Sequence, residues 1–111
     1  MNELKQLLID FLKVLSDPTR LEILYYLKMG KRNSTEIQHH LNKSQSTVSQ
    51  HLKTLINSDL ITFEKNGNLN YYYIKYEKIF TILSAISSFV IEINREKFKG
   101  IRDLDRYDVL L

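Results

Sequence analysis

Residues 44–53 constrain the fold most strongly, because their sequence combines a narrow apolar stripe with an opposite polar side that is almost free of acid. Val48, Leu52 and Leu55 recur at helical spacing and predict the buried side of a helix. The opposite side collects four hydrogen-bonding residues: Ser46, Ser49, Gln50 and Lys53. This composition is typical of a helix that lies in the major groove of DNA, whereas a helix that is merely solvated usually carries glutamate and lysine.

A shorter helix is predicted immediately before this one. It starts near Ser34 and ends at Leu41, and Asn33 with Glu36 has the spacing of a capping box. The next residues make a tight turn, and Ser44 caps the following helix. Two short helices joined by about three polar residues predict a helix-turn-helix motif.

Two further helices are predicted upstream. Apolar residues at three- and four-residue steps mark the first, over residues 4–15. The second covers about residues 19–28 and follows Ser-Asp-Pro at 16–18, where the serine or the aspartate caps it and the proline suits its first turn. Gly30 is expected to end it in the left-handed conformation, and residues 31–33 are expected to form a polar link.

The apolar period changes to two after Leu60. Residues 61–65 and 69–75 predict two strands, and Asn-Gly-Asn at 66–68 predicts the turn of a hairpin. From Glu77 the helical period returns and predicts a fifth helix to about Lys99, ended by Gly100.

A hairpin directly after a helix-turn-helix is a wing, so the sequence predicts a mainly α winged helix-turn-helix fold with four helices, a small β-hairpin and a fifth helix. Residues 1–100 are interpreted as one DNA-binding and dimerisation domain, and residues 101–111 as a charged C-terminal tail.

Charge is distributed unevenly along the 111 residues, although the net charge is only +3. Residues 28–75 hold seven lysines and arginines against three acids, so the positive charge coincides with the predicted DNA-reading segment. The chain has no cysteine, which excludes disulfides, thiolate metal sites and cysteine nucleophiles. The amphipathic N-terminal segment contains Glu3 and Asp10, so it is not expected to be a signal peptide or a membrane span, and a cytoplasmic location is expected.

Three segments together resemble the ArsR/SmtB family of winged-helix repressors. Residues 15–24, Leu-Ser-Asp-Pro-Thr-Arg-Leu-Glu-Ile-Leu, are similar to the family's opening signature, and residues 44–53 are similar to its recognition helix. Residues 69–74, with Tyr72 and Tyr73, are similar to the second strand of its wing. The resemblance implies a homodimer joined through the first and last helices, with recognition helices in successive major grooves of a palindromic promoter site. It also implies repression by occlusion of the promoter, relieved when a signal is sensed.

The sequence departs from the metal-sensing members of that family. Asn33 and Thr35 stand where thiolate sites have cysteines, and the last helix has no histidine. His39 and His40 are adjacent and so point to different sides of their helix, and His51 is expected to pack near the DNA surface or to hydrogen-bond within the domain. No metal or cofactor is therefore predicted. No nucleotide loop, nucleophile motif or paired carboxylate set is present, so catalysis is not predicted either.

Three groups of residues are predicted to contact DNA. Base edges would be read by Gln45, Ser46, Ser49 and Gln50, since glutamine pairs naturally with adenine in the major groove. Phosphates would be bound by Arg32, Lys43, Lys53 and Lys65, with hydroxyl or backbone contacts from Ser44 and Thr47 at the helix N-terminus. The wing tip would contribute Asn66 and Asn68.

Excess apolar surface predicts the dimer interface. The fifth helix is too apolar for one neighbour, with Phe80, Phe89 and Ile91 beyond its main stripe. The interface residues predicted on the first and fifth helices are Leu4, Leu8, Phe11, Leu12, Ile82, Ile86, Phe89, Val90 and Ile93.

Two questions stay open at the level of sequence. A small apolar or aromatic effector could bind between the first and fifth helices, or the protein could bind DNA without one. The alternative function is a winged-helix protein-interaction module of the transcription machinery, with the tail as a docking peptide, because a fold alone does not fix a function. A DNA-binding protein should lose affinity steeply with salt, and an interaction module should not.

Overall fold

The computed structural model describes residues 2–99, which form two compact units that divide after Lys75. The first unit contains α1 (Asn2–Leu15), α2 (Pro18–Lys28), β1 (Arg32–Asn33), α3 (Ser34–Leu41), α4 (Gln45–Asn57), β2 (Ile61–Asn66) and β3 (Leu69–Ile74). The second contains α5 (Lys78–Ile93). This order confirms the predicted winged helix-turn-helix fold. Gly100, predicted to end the last helix, and the predicted tail lie outside the described residues.

Three helices of the first unit begin at side-chain caps. The Asp17 carboxylate accepts hydrogen bonds from the backbone N–H groups of Thr19 and Arg20, at 2.9 and 3.1 Å, which selects the aspartate over Ser16 as the cap of α2. Asn33 and Glu36 form the predicted capping box of α3, and Ser44 caps α4 as predicted. Each cap satisfies backbone donors that a helix start leaves without intrahelical partners.

The segment between α2 and α3 differs from its prediction in two respects. Gly30 has a φ of +143°, outside the left-handed helical region, and the residue that caps α2 is Met29 in a right-handed conformation. Residues 32–33 are not merely a polar link, because they form the short strand β1. β1 pairs antiparallel with β3, so the sheet has three strands in the order β1-β3-β2.

The hairpin of β2 and β3 has the predicted position and a two-residue turn. Asn66 pairs with Leu69, and Gly67 between them has a φ of +68°, a conformation that glycine adopts without a Cβ penalty. Asp59, which precedes the hairpin, also has a positive φ of 62°. Aspartate tolerates this left-handed conformation better than most residues, and it ends α4 where a glycine would otherwise be favoured.

The core of the first unit joins the helix-turn-helix motif to the strand that follows it. Its largest fully buried side chains come from three helices and one strand of the unit: Ile23, Leu24, Ile37, Val48, Leu55 and Ile61. The predicted buried stripe of α4 is confirmed, because Val48, Leu52 and Leu55 are at most 2% exposed. Burial of this stripe fixes which side of α4 faces the solvent.

α5 is shorter than predicted and buries a different stripe. The helix ends at Ile93, and turns follow it through residue 99. Phe80 and Ile91, expected to add to the exposed surface, are buried together with Ile79 and Leu83. The expectation was wrong because a 3.6-residue period admits neighbouring stripes on a helix whose residues are mostly apolar. No helix within residues 2–99 is long and apolar enough to cross a membrane.

Candidate nucleic-acid interface

The solvent-facing side of α4 carries the residues predicted to read bases. Gln45, Ser46, Ser49 and Gln50 are all exposed, and so is Lys53 one turn further along the helix. This arrangement follows directly from burial of the opposite stripe, because residues three and four apart share a helix face. α4 therefore presents a surface of amides, hydroxyls and one ammonium group, whose donors and acceptors match base edges.

Hydrogen bonds hold part of this surface in place. The Ser44 hydroxyl donates to the Thr47 hydroxyl at 2.9 Å and lies 3.3 Å from the Ser46 hydroxyl. The Gln45 side-chain amide donates to the Ser49 hydroxyl at 2.9 Å, which leaves the Gln45 oxygen as an available acceptor. The two predicted base-reading residues Gln45 and Ser49 thus form one hydrogen-bonded pair.

The predicted phosphate-binding cations fall in different electrostatic environments. Lys43, Lys53 and Lys65 are exposed, and within residues 2–99 none of them makes an ion pair. Lys31, in contrast, forms a 2.7 Å ion pair with Glu64 on the wing, and its ammonium lies 4.9 Å from the Tyr73 ring. The hydrogen bond from Lys31 to Glu64 raises the pKa of the lysine above its ordinary value, aided by the negative charge of the carboxylate. Glu64 therefore cancels one cation beside Lys65.

Arg32 is less accessible than the lysines. It lies on β1, half-buried, with its guanidinium carbon 4.6 Å from the centre of the Tyr26 ring. The Tyr26 ring also stacks on His40, with centroids 3.8 Å apart and ring planes within 5° of parallel. The Nε of Arg32 is buried and makes no hydrogen bond within the described residues. Arg32 is therefore held by packing, so any phosphate contact must come from the outer end of its guanidinium.

The wing residues form a second, separate cluster. Lys65, Asn66 and Asn68 are exposed at the end of the hairpin. Within residues 2–99, no hydrogen bond or ion pair joins this cluster to the polar side of α4. The structure thus places the predicted site residues on α4 and the turn before it, on the wing tip and, for Arg32, on the edge strand β1.

His51 confirms one of the interactions predicted for it, a hydrogen bond within the domain. Its Nδ1 lies 3.1 Å from an Nη of Arg20, and its Nε2 lies 3.9 Å from the Asp17 carboxylate. Nothing in the sequence pattern places Arg20 or Asp17 next to the recognition helix. Contacts between residues 31 or more positions apart leave no periodic signal in a single sequence.

The Asp17 carboxyl has a pKa below its ordinary value of 3.8. Burial raises this pKa. The backbone hydrogen bonds from Arg20 and Thr19, together with the electrostatic interactions with His51 and Arg20, lower it by more. Asp17 is therefore an anion at neutral pH and stays so well into the acid range.

The described residues offer no metal centre. Residues 2–99 contain no group of three or more histidine, aspartate and glutamate side chains that could hold a metal ion. The chemistry of the surface is that of hydrogen bonding and positive charge, which suits phosphates and base edges.

Comparison with known proteins identifies the family. The family described as "Bacterial regulatory protein, arsR family" matches residues 17–62, which include α2, the helix-turn-helix motif and the start of the wing. The arsenical resistance operon repressor of Staphylococcus xylosus is 46% identical over 66 residues, which are 60% of this chain and 64% of that repressor. The chain thus spans slightly less than two thirds of that relative.

A second relative is covered more fully. The arsenical resistance operon repressor of Staphylococcus aureus is 36% identical over 76 residues, which are 68% of this chain and 73% of that repressor. Among solved structures, the homodimeric winged helix-turn-helix DNA-binding domain from Mycobacterium bovis superposes with a TM-score of 0.73. The alignment covers 82% of this chain and 84% of that domain at 24% identity, and it shows the shared fold. The family match at residues 17–62 covers the helix-turn-helix motif that carries the polar side of α4. The chain belongs to the ArsR family of bacterial transcriptional regulators.

Proposed function

We propose that the protein is a cytoplasmic transcriptional repressor that binds a palindromic promoter site as a homodimer and blocks access of the polymerase. The observation that supports this function best is the exposed polar side of α4, which carries amides, hydroxyls and a lysine but no acid. The two staphylococcal relatives are named repressors, which supports repression over activation.

The proposed division of labour follows the chemistry of each side chain. Gln45, Ser46, Ser49 and Gln50 contact base edges, where amides can pair with adenine in two hydrogen bonds. Ser44 and Thr47 approach a phosphate at the N-terminus of α4, where the helix dipole favours an anion. Phosphates are also bound by Arg32, Lys43, Lys53 and Lys65. From the wing, Asn66 and Asn68 contact the DNA backbone. Phosphate contacts orient the protein and give salt dependence, while base contacts give the choice of sequence.

Homodimerisation is proposed from apolar side chains that the described chain leaves exposed. On α1, Leu4, Leu8 and Leu12 are at least 50% exposed and Phe11 is half-buried. On α5, five residues of the predicted interface are at least 36% exposed: Ile82, Ile86, Phe89, Val90 and Ile93. A second copy that covers these helix faces would remove substantial apolar area from water. The Mycobacterium bovis domain of the same fold is homodimeric, which supports this proposal.

The signal that relieves repression is not proposed to be arsenic bound by thiolates. The relatives are named for arsenical resistance, but this chain contains no cysteine. A small apolar or aromatic effector has a candidate site in a groove of about 550 Å³ between α1 and the end of α4. Leu7, Phe11 and Val14 line its apolar side. The neutral fluorescent probe N-phenylnaphthylamine should bind there, and Leu7→Gln should weaken its binding while Leu69→Gln on the wing should not. Equal binding to both variants would remove the groove from the proposal.

Footprinting on the DNA upstream of the protein's own gene tests the proposed function. Protection of two half-sites about one helical turn apart, on one face of the duplex, is expected for a symmetric dimer. Light scattering should give the mass of a dimer for the wild type and of a monomer for Ile86→Asp. Leu69→Asp, an equally drastic change on the wing, should remain dimeric. An unprotected promoter would contradict the proposal and favour the protein-interaction module, to be tested by partner capture with and without residues 101–111.

A further inference from the structure

The end of α1 and the middle of the recognition helix α4 are connected through a single side chain, Arg20. Its Nε donates to the Val14 carbonyl at 2.7 Å, and one Nη donates to the Lys13 carbonyl at 3.2 Å. The other Nη lies 3.1 Å from Nδ1 of His51. All three nitrogen groups of one guanidinium are therefore engaged, two by α1 and one by α4.

The α1 side of this arrangement is favourable for reasons of helix chemistry. Lys13 and Val14 lie in the last turn of α1, whose final carbonyls have no partner within the helix. A cation at that position satisfies these carbonyls and also interacts favourably with the negative end of the helix dipole. The Ser16 hydroxyl donates to the Lys13 carbonyl as well, at 2.8 Å.

The α4 side of the arrangement uses both ring nitrogens of His51. A guanidinium has only donors, so Nδ1 of His51 is the acceptor in its contact with Arg20. The ring N–H of that tautomer is on Nε2, which lies 3.9 Å from the carboxylate of Asp17. Asp17 itself is fixed by the backbone N–H groups of Thr19 and Arg20. The imidazole is thus held between Asp17, the N-cap of α2, and Arg20 in the first turn of that helix.

The place of His51 on α4 gives this arrangement its functional meaning. His51 follows Gln50 directly and lies between Ser49 and Lys53, which face the solvent. Its side chain is 18% exposed and points toward the first turn of α2, not into the polar face. Rotation or sliding of α4 would break the bond between His51 and Arg20. The bond therefore fixes the angle at which Ser49, Gln50 and Lys53 would meet a groove of DNA.

We propose that Arg20 and His51 are positioning residues for DNA reading, which set the orientation of α4 relative to α1. This inference rests on the proposed function, in which α1 is a dimerisation helix and α4 is the helix that reads DNA. A change in how two copies pack through α1 then reaches the recognition helix through one guanidinium. Neither residue needs to contact DNA for this role.

Three variants separate positioning from charge and from folding. Arg20→Lys keeps the positive charge at the end of α1 but has one ammonium in place of the three-armed guanidinium. His51→Leu removes the acceptor while keeping an apolar body of similar size. His51→Asn is the matched control, because its side-chain oxygen can accept from Arg20 in place of Nδ1. Thermal unfolding is measured for each variant, so that a general loss of structure is recognised.

Fluorescence anisotropy gives the affinity for the upstream DNA and for a scrambled duplex, and the ratio of the two affinities is the selectivity ratio. Arg20→Lys and His51→Leu should weaken selective binding at least tenfold, leave binding to the scrambled duplex and its salt dependence unchanged, and remain dimeric. His51→Asn should recover most of the selectivity. A selectivity ratio within twofold of the wild type in Arg20→Lys and His51→Leu would overturn the proposal, and so would an equal loss on both duplexes.

Hydrogen exchange distinguishes failure of this proposal from failure of the proposed function. If the wild type shows no selectivity for its upstream DNA, the repressor proposal fails, but the connection between helices is still measurable. Amides of residues 48–55 should exchange faster in Arg20→Lys and His51→Leu, and at the wild-type rate in His51→Asn. Unchanged exchange in all three variants would show that Arg20 does not hold α4 and would overturn the inference.

Discussion

The recognition helix and the wing are both predicted to contact DNA, but they are held in very different ways. α4 has a stripe that is almost completely buried and is connected to α2 through His51. The wing tip has no buried residue from Phe63 to Leu69 and is held by its strand pairing and by contacts across the ladder. Sequence choice needs side chains at fixed positions, whereas phosphate attraction tolerates movement. The difference supports the proposal that α4 reads bases and that the wing orients the protein on the DNA backbone.

Charge separates the two regions as well. Within residues 2–99, no acid forms an ion pair with Lys53 on the polar side of α4. The wing carries Glu64, which pairs with Lys31 at 2.7 Å. In the proposed complex with DNA, Lys31 should therefore attract the duplex less than an unpaired lysine would.

The largest expected effect comes from the core beneath α4. Leu55→Ala should lower the free energy of unfolding by about 2–5 kcal/mol, because the side chain is fully buried and its loss leaves a cavity. Phe63→Ala on the wing, 43% exposed and packed against Tyr72, should cost only about 0.2–1 kcal/mol. Urea unfolding of both variants measures the contrast. Similar losses would show that the wing is packed as firmly as the helix.

Next in size is the effect of removing a base-reading amide. Gln50→Ala should weaken binding to the upstream DNA by about 1–3 kcal/mol while binding to a scrambled duplex stays nearly constant. Lys53→Ala on the same helix face is the matched comparison. It should weaken binding to both duplexes alike and reduce the slope of log affinity against log salt concentration by about one, the value for one lost phosphate contact. Competition titrations at several salt concentrations measure both effects. If Gln50→Ala behaved like Lys53→Ala, α4 would contact phosphates and not bases.

A smaller effect, of opposite sign, is expected on the wing. Glu64→Gln removes the carboxylate that pairs with Lys31, so it should strengthen DNA binding at low salt and increase its salt dependence. Glu92→Gln removes an exposed acid from α5 and should leave binding unchanged. Anisotropy titrations at two ionic strengths compare the two. Weaker binding by Glu64→Gln would mean that its ion pair shapes the wing for DNA.

The smallest expected effect concerns acid and the anchor of α2. Because the pKa of Asp17 is lowered in the folded protein, its stabilising effect is present above the ordinary value of 3.8 and is lost as the pH falls through the folded value. Asp17→Asn keeps a capping oxygen and should change stability near pH 7 by less than about 1 kcal/mol. The wild type should lose this advantage over the variant in strongly acidic buffer, as measured by thermal unfolding from pH 7 to pH 2. A constant difference would show that the charge of Asp17 contributes nothing.

The sequence was sufficient for local features and insufficient for contacts between distant segments. The buried stripe of α4, the capping box of Asn33 and Glu36 and the hairpin turn at Gly67 all depend on residues a few positions apart, and all were predicted correctly. β1 was missed because a two-residue strand has no period of its own and exists through its pairing with Tyr71 and Tyr72. On α5, so many residues are apolar that the pattern could not select the buried stripe.

The predicted DNA-contact residues illustrate the same limit. Exposure of Gln50 and Lys53 follows from helix geometry, so sequence reasoning placed them correctly on the surface. It could not detect that Glu64 pairs with Lys31 or that Arg20 reaches His51, since each pair is separated by 31 residues or more and depends on tertiary packing.

The measurement that tests the central claim most directly is fluorescence anisotropy of the protein on its own upstream DNA and on a scrambled duplex, at two salt concentrations. If α4 reads sequence, binding to the upstream DNA should be tight and selective, and it should weaken steeply as salt rises. Equal and weak binding to both duplexes would contradict the claim that this helix recognises an operator.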